Sequence, residues 1–266
     1  MKKRKSMNNM KHYMKLHVRP IIGLALMLTH LAGCKTPHAS TPKVVNGEPA
    51  AKYGIYPWMV SLQEDNKSFC GAALIAPTLI LTAKHCFRVD GIMKYENVEA
   101  KIGKVFLSRN EPGEETFRIV KVITPSTWVG LGDIAIGVLS GASAKKPIRI
   151  NESATFPVKG SRVEAIGWGR WIGATRPETD ELYLTGTTFQ QVTGCHPDQI
   201  CLQFEDGGTC FGDSGGPLFA REGDEPVLIG VVNGGDNTMC VPPSRNEYAS
   251  TATYKTWIKG EIEKAN

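Results

Sequence analysis

From Val44 onward, short apolar runs alternate with clusters of glycine, proline and polar residues. WMVSLQ, AALIAPTLILTA, FRIVKVIT, IAIGVLS, RVEAIGW and PVLIGVV are each bounded by turn signals. Runs of this length and composition predict strands, and many short strands at close spacing predict antiparallel sandwiches or barrels. One segment departs from that rhythm. Near the C-terminus Tyr254, Trp257, Ile258 and Ile262 recur at helical spacing, which predicts an α-helix packing one apolar stripe on the core. The chain shows no repeat of fixed period and no low-complexity tract.

The first 43 residues follow another pattern. A basic stretch, MKKRK to VRP, leads into the apolar run IIGLALMLTHLAG and then Cys34, the order of an export signal whose run is too short for a permanent membrane helix. Leu31-Ala32-Gly33-Cys34 resembles the lipobox of bacterial lipoproteins. That resemblance implies removal of residues 1–33 as a lipoprotein-type signal peptide and acylation of the Cys34 thiol. An ordinary signal peptide that happens to contain a cysteine is the alternative. Residues 34–43 are short, polar and proline-bearing, so they read as a tether or propeptide. Residues 44–266 are then the folded domain, divided near 150 into a 44–150 half and a 151–266 half.

Charge sharpens this division. The leader holds nine Lys or Arg and no acid, so the overall +5 belongs to it, and the remainder carries 22 basic against 26 acidic residues. Such a balance gives no support for nucleic-acid binding. Seven cysteines leave an odd thiol in an exported chain, and lipidation of Cys34 accounts for it. Export places the other six in an oxidising compartment. Cys70 with Cys86, Cys195 with Cys201 and Cys210 with Cys240 are the natural pairs by neighbourhood, although other connectivities stay open.

The chemistry enters with CFGDSGGPL, Cys210 to Leu218, a loop too rich in glycine to be a strand interior yet holding an Asp, a Ser and a Cys. A catalytic serine needs a base, a group to orient that base, and donors for an oxyanion. LILTAKHC places His85 at the end of an apolar strand beside Cys86. GLGDIAIGVLS places Asp133 just before a strand that is apolar at nearly every position, where a carboxylate is uncommon unless paired.

These segments, with VVNG at Val44 and GWG at Trp168, resemble in order and content the chymotrypsin or trypsin-like serine endopeptidase family, from Val44 to the C-terminal helix. The resemblance implies an all-β fold of two six-stranded antiparallel β-barrels with a C-terminal α-helix. It also implies hydrolysis of peptide bonds through an acyl-enzyme, with Ser214 as nucleophile, His85 as base and Asp133 orienting the imidazole; the family is itself the worked case for that mechanism. The N–H groups of Gly212 and Ser214 would form the oxyanion hole. Lys43-Val44 has the form of the family's activation site, with Asp213 receiving the new amine, so the protein is expected to be a zymogen activated by a protease of basic specificity. That cut would also sever the lipid tether, turning a membrane-anchored envelope lipoprotein into a secreted enzyme. The expected partners are protein or peptide substrates, with no cofactor, no metal and no nucleic acid, and a monomer is expected. A catalytically silent binding protein or adhesin on the same fold is the rival reading.

Departures from the family concentrate in the specificity pocket. Gly208 falls where trypsin carries its aspartate, followed by Thr209; Gly235 leaves the wall open, and Asn246 is placed to line it. Asp206 and Glu247 are the acids close enough in sequence to restore a preference for cations. Without them the pocket is expected to take a small or medium apolar side chain. Asn233 and Gly234 replace a Ser and a Trp; loss of the Ser is expected to loosen Asp133 and loss of the Trp to weaken the neighbouring subsite. Val163 and Ala220 replace a further disulfide. Lys84 is expected to point away from His85, and Lys104 stands where a calcium loop has an acidic ligand.

Overall fold

A computed structural model describes residues 47–50, 54–89, 91–126, 132–170, 179–236 and 239–265. The segments 1–33 and 34–43, and with them Cys34, Lys43 and Val44, lie outside the described residues.

The first half forms β1 (Met59–Glu64), β2 (Lys67–Ala76), β3 (Leu79–Thr82), β4 (Glu99–Ile102), β5 (Glu115–Ile123) and β6 (Ala135–Leu139). They close into an antiparallel barrel in the order β1-β2-β3-β6-β5-β4. Asp65 and Asn66, both with positive φ (51° and 60°), make the two-residue turn that pairs Glu64 with Lys67. The run AALIAPTLILTA is not one strand: Pro77 and Thr78 break it into a hairpin, and Ala76 pairs with Leu79.

The second half forms β7 (Arg162–Gly167), β8 (Tyr183–Thr188), β9 (Gln199–Phe204), β10 (Pro217–Glu222), β11 (Glu225–Gly235) and β12 (Ser244–Ser250). Its order is β8-β7-β10-β11-β12-β9, with short strands Glu48–Pro49 on β8 and Arg149–Ile150 on β11. Strand for strand this is the ring of the first half with one ladder missing, between β8 and β9. Thr187 Oγ1, donating to Gln203 O at 2.9 Å, bridges that seam. The two-barrel expectation therefore stands, with the second barrel split along one edge.

Val163 and Ala220 face each other across β7 and β10 and are both buried, the apolar pair in place of a disulfide. The helix α1 (Thr251–Ala265) buries Tyr254 and Ile258, with Trp257 and Ile262 packed at the margin of the same core. That core runs through the first barrel and continues into the second at Phe219, Leu228 and Val231. Trp58 and Phe219 meet edge to face at 5.3 Å where the halves join. All three expected disulfides are present.

Candidate active site

His85 lies where β3 ends, in a 3-10 turn spanning Lys84–Phe87, so strand alternation does not govern Lys84 or His85. Buried Phe87 and the bridge from Cys86 to Cys70, with Cα atoms 6.2 Å apart, fix that turn. Asp133 precedes β6. Its Oδ1 accepts from the His85 backbone N–H at 2.9 Å, and its Oδ2 lies 2.7 Å from His85 Nδ1. One carboxylate thus holds both the main chain and the ring of the histidine, through its Nδ1.

Ser214 is brought to this pair by main-chain contacts between the halves. Its carbonyl accepts from Gly71 N at 2.8 Å and faces Cys86 Sγ at 3.7 Å. Gly215 N–H donates to Val232 O, and Val232 N–H to Gly216 O, pinning the loop on β11. The glycines are required by contact: with φ at 76°, a Cβ on Gly215 would lie 2.1 Å from Thr82 Oγ1, and one on Gly216 would lie 2.8 Å from Asp213 O. Among the described residues neither the Gly212 N–H nor the Ser214 N–H is bonded within the protein, and the Ser214 hydroxyl has no partner. A loose serine is ordinary in a site without substrate. Unbonded N–H groups on a serine and on the residue two before it suit an anionic oxygen.

Asp213 is buried, 1% exposed. Its carboxylate accepts from Gly169 N at 2.8 Å and Cys210 N at 2.9 Å. Cβ atoms on Gly167 or Gly169 would come within 2.1 and 2.3 Å of it, which gives a physical reason for the glycines flanking Trp168.

Beside Ser214 opens a cavity of about 190 Å³ lined by Thr209, Val232, Gly234, Gly235, Asn246 and the Cys210–Cys240 bridge. Exposed Phe211 stands among its walls. Gly208 stays behind this lining. Its φ is 136°, and a Cβ there would meet Ser244 Oγ at 2.5 Å and Asn246 Oδ1 at 2.6 Å. The two acids that could have restored a cation preference lie elsewhere: Asp206 borders a separate depression with Glu48 and Arg162, and Glu247 pairs with Arg245 at 3.1 Å.

Asn233 bears on the expectation of a loosened aspartate. With its amide nitrogen turned to the two carbonyls, Nδ2 donates to Asp133 O at 3.0 Å and Val231 O at 3.3 Å. This support reaches the main chain of Asp133, not its carboxylate. A second support was not legible in the sequence: buried Asp198 accepts from Gly132 N–H (3.2 Å), next to Asp133, and from the Tyr254 hydroxyl (2.7 Å) on α1. Desolvation works against the Asp198 charge, yet these donors and His196 hold its carboxyl below the usual value.

Among the described residues, Cys70, His85 and Cys86 cluster within reach of a metal, but the two sulfurs are bonded to each other. In the loop after β4, Lys104 is buried, and its ammonium donates to Glu114 Oε2 at 2.6 Å and Arg109 O at 2.7 Å. A side-chain cation thus holds the centre of that loop.

The trypsin family model matches residues 44–258. Neutrophil elastase of Mus musculus is 30% identical over 244 residues, which span 86% of each chain. The suppressor of tumorigenicity 14 protein homolog of Bos taurus is 30% identical over 251 residues, covering 83% of this chain and 28% of that protein. A solved mutant of human heparin binding protein shares the fold, with a TM-score of 0.72 at 22% identity over 83% of this chain and 97% of that one.

Proposed function

The chain belongs to the trypsin family of chymotrypsin-like serine peptidases, and we propose that it is an active serine endopeptidase working through Ser214, His85 and Asp133. In this reading His85 Nε2 takes the Ser214 proton as Oγ attacks the peptide carbonyl, then delivers it to the leaving amine. Asp133 keeps the proton of the neutral ring on Nδ1 and stabilises the imidazolium that forms. The N–H groups of Gly212 and Ser214 receive the oxyanion. Water then repeats the sequence on the acyl-enzyme.

The observation that carries the proposal is the pairing of two unbonded N–H groups around Ser214 with a doubly anchored His85–Asp133 unit. Cleavage after Lys43 is the proposed activation step, with the Val44 amine paired to Asp213 and the Cys34 tether lost in the same cut. The enzyme is then exported as a lipid-anchored zymogen and acts, once released, on protein substrates.

The test is turnover of a mixed peptide library, read by mass spectrometry, by protein cut after Lys43. Wild type is expected to cleave and Ser214→Ala to lose at least about 10⁴-fold in kcat. Equal turnover by both, or none by either with the Val44 amine free, rejects the proposal.

A further inference from the structure

We infer that the cavity beside Ser214 selects an uncharged substrate side chain bearing a hydrogen-bond acceptor, and that Asn246 makes the selection. The inference rests on the peptidase reading, since it assigns the residue on the acyl side of the cut bond, P1.

Asn246 is 3% exposed and lines the cavity from β12. Its orientation has one solution. Oδ1 lies 2.9 Å from the backbone N–H of Thr209, which can only donate, so the oxygen must face Thr209. Nδ2 is left over, on the side of Gly235, and makes no hydrogen bond among the described residues. A nine-tenths-buried amide therefore offers unused donors to a cavity next to the nucleophile. Gly208 secures this arrangement, because any Cβ there would collide with Asn246 Oδ1 and Ser244 Oγ. Asn246 thus stands directly beside position 208 and takes the space that a side chain there would need.

The alternatives fit less well. No acid and no cation lines the cavity among the described residues, so a charged P1 group would be buried without a counter-ion. The sequence led to a small or medium apolar P1, but an apolar group seated here seals Nδ2 away from water without replacing its partner. A side-chain oxygen of threonine, asparagine or glutamine accepts from it instead. A site built to hydrogen-bond its substrate discriminates against the isostere that cannot.

Two isosteric pairs test this: peptides differing only as Thr or Val, and as Asn or Leu, at P1. The full chain is treated to free the Val44 amine, and active sites are titrated with a fluorophosphonate in the same sample. The acceptor-bearing member of each pair is expected to have a kcat/KM about tenfold or more higher. Asn246→Asp keeps an oxygen for the Thr209 N–H and exchanges the donor for a carboxylate, so that preference should vanish and lysine at P1 should gain. If Ser214 titrates but Val and Leu peptides are cleaved as fast or faster, the inference falls and the peptidase reading stands. Absence of both titration and cleavage overturns the inference and the peptidase reading together.

Discussion

Asn233 is one of two side chains that brace the main chain around Asp133, Asp198 being the other. The Asn233 bond to the Asp133 carbonyl acts on main chain, so truncation frees the backbone that aims the carboxylate at His85. Asn233→Ala is expected to lower kcat about tenfold or more with a smaller effect on KM, because misplacement by a fraction of an ångström penalises the reacting geometry most. Steady-state kinetics checks this, and an unchanged kcat would show the amide to be idle. At this scale much was readable beforehand. His85, Asp133, Ser214 and the glycines around them stand in short contiguous segments whose chemistry is local. Partners distant in the chain were not: Asn233 on Asp133, or Asp198 on Gly132, depend on how the halves dock.

Elements were readable where their pattern was self-contained. Each apolar run became strand, and the stripe from Tyr254 to Ile262 became helix. Strands such as Tyr183–Thr188 and Ser244–Ser250 escaped because threonine, glycine and charged residues alternate there without a clear apolar face. The loop after β4 was read as one that lost a calcium ligand. The structure adds that the Lys104 ammonium bonds the carboxylate and carbonyl there. Burial raises the cost of the Glu114 charge, but Lys104 and the Glu111 N–H hold its carboxyl below the usual value. A carboxyl depressed on folding contributes stability above its unfolded value, about 4.3, and loses it as pH falls through the folded one. Lys104→Met should therefore cost about 3 kcal/mol in urea unfolding at pH 7, since one partner of a largely buried pair is left alone. The gap between variant and wild type should narrow below about pH 4. A gap independent of pH would place the loss in packing instead.

For the whole molecule, two halves with no visible sequence repeat adopt one strand order, and the seam between β8 and β9 distinguishes them. That symmetry is not legible because each barrel fills its interior with different side chains, and only the ladder order repeats. What the joined halves create is the meeting of Ser214 with the His85 turn, through Gly71 and the Cys70–Cys86 bridge. The central claim is that this meeting makes Ser214 a nucleophile once the chain is cut after Lys43. The most direct measurement is reaction of the full chain with a fluorophosphonate before and after that cut, with the adduct located by mass spectrometry. The account expects one adduct, on Ser214, in the cut chain, and little in the uncut chain or in His85→Ala. A cut chain with a free Val44 amine and no adduct on Ser214 would contradict it.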